Sequence, residues 1–161
     1  PASMQVDYVR VYQAEGSTNG SYTDNSTEVT PVLEDKAFGK TVQSSGTENE
    51  VFSANNLVDN NQATRYASNF ADDAWFIVDL NSTYTINQVI LNWEAAYGKQ
   101  YEILVSTDGV NYTSVIKQSN GAGGVETLNL DKVKARYIKF QGLERALPYG
   151  YSLWDIKVMG F

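Results

Sequence analysis

Hydrophobic and polar positions alternate with a period of two through most of the chain beyond Asp35. Val89, Leu91 and Trp93 share one parity, as do Tyr101, Ile103 and Val105. That spacing points apolar side chains to one face of an extended strand and leaves the other face polar. Runs of this kind fall at 40–44, 74–80, 84–93, 100–106, 112–117, 125–130, 135–142 and 151–159. They are separated by turn-forming residues at intervals typical of an all-β sandwich or barrel. Thr107-Asp108-Gly109 lies between two runs and supplies the residues a tight hairpin turn requires. No segment sustains a 3.6-residue period. The prediction is an all-β, antiparallel fold of about eight strands closing over one core. Trp75, Trp93 and Trp154 each sit inside an alternating run and are expected in that core.

The N-terminal part is different. Met4 to Tyr12 alternates, but as one strand it needs a larger sheet to pair with. The run Asp7-Tyr8-Val9-Arg10-Val11-Tyr12 resembles the closing strand of family 16 glycoside hydrolases, the jelly-roll β-glucanases. From Ala14 to Glu34, Gly, Ser, Thr and Asn dominate and large aliphatics are scarce, so little surface can be buried to offset the entropy of ordering. The expected organisation is a remnant catalytic-domain strand at 1–13, a linker at 14–34 and one module at 35–161.

Composition narrows the chemistry. The 161 residues include no cysteine and no histidine, and the formal charge is −7. Disulfides, thiolate nucleophiles and imidazole bases or ligands are therefore excluded. Nucleic acid and anionic membranes draw affinity from clustered Lys and Arg, so an acidic chain is expected to bind neither. A neutral or cationic partner suits it better.

One stretch is rich in hard oxygen donors. Within Asn56-Leu57-Val58-Asp59-Asn60-Asn61-Gln62-Ala63-Thr64, Asp59 offers a carboxylate, Thr64 a hydroxyl and a carbonyl, and Asn56 and Asn61 carbonyls. An all-oxygen set favours Ca2+ over zinc or copper. In isolation, Asp-x-Asn-x-x-Thr is more simply a turn cap.

From Lys36 to Phe161 the chain resembles a discoidin domain, the coagulation-factor C-type (F5/8 type C) jelly-roll β-sandwich, and specifically a family 32 carbohydrate-binding module. The resemblance rests on Asn56-Leu57-Val58-Asp59, Thr64-Arg65-Tyr66-Ala67-Ser68, Trp75-Phe76-Ile77-Val78-Asp79-Leu80, Leu91-Asn92-Trp93-Glu94, Ser106-Thr107-Asp108-Gly109 and Tyr149-Gly150-Tyr151-Ser152-Leu153-Trp154. Asn60, Tyr66 and Asp155 stand where the family usually has Gly, Trp and Glu. The resemblance turns the balance toward a structural Ca2+ and adds Asp155 and the Trp154 carbonyl to its ligands. It also implies a sugar pocket of Glu48, Arg65, Phe70, Glu94 and Tyr149, with Tyr151 as a substitute for Tyr149. Tyr97 and Arg145 are further loop candidates, and an ion pair of Arg65 with Glu94 or Asp79 is the structural alternative for that side chain. Glu48 and Glu94 could be read as a glycosidase pair, but the resemblance implies binding without catalysis. The expected partner is a polysaccharide or oligosaccharide, with β-glucan preferred because of the N-terminal run and chitosan as the alternative. The expected setting is a monomeric module tethered to a hydrolase, secreted or at a bacterial cell surface. Membrane or protein adhesion is the rival of another class.

Overall fold

Period-two runs become strands wherever their apolar parity has a second sheet to face. The computed structural model describes residues 31–161, which form one unit, Pro31–Phe161. The family 16-like run and most of the expected linker lie outside the described residues. The strands are β1 (Glu34–Asp35), β2 (Thr41–Ser44), β3 (Tyr66–Ala67), β4 (Trp75–Trp93), β5 (Gly98–Ser106), β6 (Thr113–Gln118), β7 (Val125–Arg145) and β8 (Ser152–Gly160). Two 3-10 turns, Glu50–Phe52 and Ala54–Val58, separate β2 from β3. Every strand pairing is antiparallel.

The eight strands are not the eight expected runs. Runs 74–80 and 84–93 are one 19-residue strand, β4, and runs 125–130 and 135–142 are one 21-residue strand, β7. Polar residues that read as turns are instead irregularities within the strands. Asn81 and Lys132 adopt left-handed φ of 67° and 48°, and the β4–β7 register shifts between Asp79 and Tyr84. Such a break bends a strand and re-aims it. Before it, β4 pairs with β2 and the second half of β7; after it, with β8 and the first half of β7. Both long strands thus pass from one layer to the other. One layer runs β2, β4, β7, β5, β6, and the other contains the remaining halves of β4 and β7 with β8. Along one edge of β8, Glu34 of β1 pairs with Gly160 and Ala67 of β3 with Ser152.

The core between the layers is continuous. Val42, Val78 and Ile138 are buried together with Val89, Leu91, Ile103, Ile156 and Val158. At the end where β4 and β8 begin, aromatic rings stack. Phe76 and Phe140 lie parallel at 5.0 Å, and Tyr151 and Trp93 meet Phe140 at 5.2 and 5.7 Å. Each fully buried large side chain stabilises the fold by about 1.5–3 kcal/mol. Trp93 is core as expected, whereas Trp75 and Trp154 are only half-buried. Trp75 lies on an outer face with the Lys139 ammonium 5.4 Å from its ring centroid. The β5–β6 hairpin forms as expected. Gly109 takes φ of 76°, and Asp108 accepts hydrogen bonds from the Ser106 hydroxyl and the Val110 and Asn111 N–H groups.

Candidate functional site

Backbone pairing draws distant residues to one end of the sandwich. Between β2 and the first 3-10 turn, the Glu48 N–H donates to the Ala67 carbonyl of β3; just after β4, the Glu94 N–H donates to the Ser152 carbonyl. β3 is itself paired with the first residues of β8, so Glu48, Arg65 and Glu94 meet around Ser152. They line a cleft of about 330 Å3 together with Tyr149, Leu147 and Ala96.

Arg65 is held from two sides. Its Nη1 donates to Ser152 Oγ at 2.7 Å, and its guanidinium lies 3.8 Å from the Phe52 ring centroid. It makes no ion pair among the described residues, so the expected alternative with Glu94 or Asp79 is not found; Asp79 binds Arg136 instead. Tyr149 is 60% exposed at the cleft rim, and Phe70, 55% exposed, meets its ring edge-on at 6.5 Å. Phe70 therefore flanks the cleft without lining it. Arg145 positions this rim: its Nε donates to Asp72 at 2.8 Å and its Nη1 to the Tyr149 carbonyl. The Arg145 hydrogen bonds hold the Asp72 carboxyl below the usual carboxylate range. Tyr97 packs against Gly123 and does not line the cleft.

Tyr151 does not substitute for Tyr149. It is 1% exposed, its hydroxyl donates to the Asp72 carbonyl, and burial pushes its phenol well above the ordinary range. The chain turns inward at Gly150, where a Cβ would lie 2.0 Å from the Ser68 carbonyl oxygen. Two residues of equal parity thus point to opposite environments, because regular strand begins only at Ser152.

The oxygen-rich turn gathers part of its predicted set. The Thr64 hydroxyl lies 2.7 Å from Asp59 Oδ2 and 2.9 Å from the Asn61 carbonyl oxygen, and the Asn61 N–H donates to Asp59 Oδ1. Three oxygens from three residues therefore meet on an exposed surface, bonded to one another as in a turn cap; a Ca2+, which takes about 6–8 oxygens, would need further ligands beside them. Among the described residues no three Asp, Glu, His or Cys side chains cluster, so such a set depends on hydroxyl and carbonyl donors. Asn56 is a brace: its amide nitrogen donates to the Val51 and Arg65 carbonyls. Asp155, 6% exposed, accepts from Gln62 Nε2 at 2.8 Å and Asn92 Nδ2 at 3.0 Å. Its carboxylate is thus tied to the turn through Gln62, while Trp154 sits half-buried beside it in β8. Ser152, Gln62 and Asn92 were not expected from sequence; a small hydroxyl and two amides carry no pattern that marks them.

Solved structures resemble this chain closely. Chitosan-binding module 1 of a chitosanase/glucanase from Paenibacillus sp. IK-5 is 40% identical with a TM-score of 0.76, covering 79% of this chain and 99% of that one. Chitosan-binding module 2 of the same enzyme, solved with chitotriose, is 35% identical with a TM-score of 0.75, covering 77% and 98%. A curated relative, the polysaccharide lyase 8 family protein HylA of Enterococcus faecalis, is 38% identical over 113 residues. That match takes in 68% of this chain but only 8% of HylA. The profile of the F5/8 type C domain matches residues 39–156, from before β2 to within β8, and the chain belongs to that family.

Proposed function

We propose that residues 31–161 are a non-catalytic carbohydrate-binding module whose cleft receives a glucosamine unit of chitosan or a chito-oligosaccharide. The observation that carries this reading is the convergence of Glu48, Arg65, Glu94 and Tyr149 on one cleft. The Tyr149 ring offers a flat face to the C–H side of a pyranose, and Arg65 a planar fork for neighbouring hydroxyls. Two carboxylates against one guanidinium leave the cleft anionic, which favours an ammonium-bearing sugar over a neutral one. β-Glucan, preferred on the N-terminal run, therefore gives way to chitosan. Similarity to the two Paenibacillus modules named for chitosan binding supports the same choice.

A structural Ca2+ belongs to this proposal. Asp59, Asn61 and Thr64 would hold it, and its charge would stiffen the loop between the second 3-10 turn and β3 that carries Arg65. We place the module on a secreted or cell-surface polysaccharide hydrolase, where a second, tethered sugar site raises the effective concentration of enzyme at its substrate.

Calorimetric titration with chitotriose, N-acetylated chitotriose and laminaritriose tests the reading. Chitotriose is expected to bind most tightly. Glu94→Ala is expected to weaken it about 10- to 100-fold, the loss of one charge-assisted hydrogen bond of about 1.5–3 kcal/mol. Equal affinity for laminaritriose would overturn the choice of amino sugar, and new reducing ends on prolonged incubation would overturn the non-catalytic assignment. Co-sedimentation with phosphatidylserine vesicles would favour the adhesion reading instead.

A further inference from the structure

A second recess lies on the outer face of the β2–β4–β7–β5–β6 layer and shares no lining residue with the cleft. Its volume of about 370 Å3 falls within the roughly 300–1,000 Å3 of small-ligand sites. Strand register explains its composition. Thr41, Asp79 and Tyr137 form one row across β2, β4 and β7, and Gln43 and Ile77 belong to the next. Alternation sends these side chains outward while Val42, Val78 and Ile138 fill the core behind them. The β5–β6 hairpin closes one side. A Cβ on Gly109 would stand 3.1 Å from the Tyr137 ring, and Tyr112 adds a second half-buried ring. Burial, and then the nearby Tyr137, Asp108 and Asp79, raise the Tyr112 phenol above its ordinary value.

Charge decides what the recess can take. Asp79 is engaged by both Nε and Nη2 of Arg136, at 2.8 and 2.9 Å. Asp108 is occupied by its own hairpin, through Ser106, Val110 and both N–H donors of Asn111. Neither carboxylate is left to reward a cation. By contrast, the side chains of Thr41, Gln43, Tyr112 and Tyr137 have no hydrogen-bond partner among the described residues. Hydroxyls and an amide, grouped beside two phenol rings over which Arg136 and Lys139 stand at 4.9 and 5.9 Å from the centroids, are the uncharged donors and acceptors that suit a hydroxylated ring.

We propose that this recess is a second saccharide site, which takes a neutral pyranose unit while the loop cleft takes a different sugar. The module would then hold two glycan segments at once.

Backbone amide NMR of the full chain, titrated separately with cellohexaose, laminarihexaose and chitotriose, tests this. At least one neutral hexaose is expected to shift Gln43, Gly109 and Tyr112 in saturable fashion without moving Glu48 or Glu94. Tyr112→Ala in the β5–β6 loop and Gln43→Ala in β2 are each expected to weaken that hexaose at least tenfold while leaving chitotriose affinity and melting temperature unchanged. Neutral hexaoses that shift nothing at the recess, that shift only the cleft, or that bind both variants as tightly as the parent would overturn the proposal. A silent chitotriose titration beside recess shifts would overturn the reading of the cleft and leave the recess standing.

Discussion

Arg65 owes its position to a hydroxyl on one side and an aromatic ring on the other. A lysine at that position keeps the charge but has neither the planar fork nor the flat face. Arg65→Lys is therefore expected to weaken chitotriose binding about tenfold or more, the equivalent of about 1.5–3 kcal/mol, with little change in melting temperature. Calorimetry on the variant beside its thermal denaturation checks this; undiminished affinity would assign Arg65 a purely structural role. No spacing in the chain joins positions 48, 65, 94 and 149, because they meet only through backbone pairing around Ser152. Family-like motifs made them readable where periodicity could not. The same motifs could not separate Tyr149 from Tyr151, since the difference lies in the close approach of Gly150 to Ser68.

That close approach makes the 147–150 loop an element with one permitted path. Gly150→Ala would force a Cβ against a backbone carbonyl, so the loop must leave β3; overpacking of this kind costs about 1–3 kcal/mol. Thermal denaturation should register the loss, and chitotriose affinity should fall with it because Tyr149 moves too. The Asp59–Thr64 turn has its own test. Ca2+ at about 100 times its Kd would add about 2.7 kcal/mol, or about 10 °C for a domain of this size. EDTA should reverse the gain and Asp59→Ala abolish it, whereas a melting temperature indifferent to Ca2+ would remove the ion from the proposal. At this scale most strands could be read from alternation. The two-residue β1 and β3 could not, being shorter than any period. Nor could the continuity of β4 and β7, whose bends at Asn81 and Lys132 use the polar, left-handed residues that turns also use.

Across the whole domain, one aromatic-rich core couples the two layers, and its phenols report on it. Burial raises Tyr66 to about 12 and pushes Tyr101 and Tyr151 further, against about 10 in an unfolded chain. A phenol raised in the folded state contributes stability that is complete below the unfolded value and is lost as pH climbs through the folded one. Stability should therefore hold to about pH 10 and decline above it. Absorbance at 295 nm should show these three ionising only with unfolding. If all 11 tyrosines titrate together near 10 while near-ultraviolet circular dichroism persists, the core is more accessible than the packing implies.

Glu34 faces Gly160 across the β1–β8 rung, whereas Ser152, at the opposite end of β8, abuts the cleft. Eight steps at about 3.3 Å put about 26 Å between the two ends. Glu34 and Gly160 thus lie side by side at the end of the domain away from the cleft. A label attached at Phe161 would therefore stand well away from the cleft and leave its rim unobstructed.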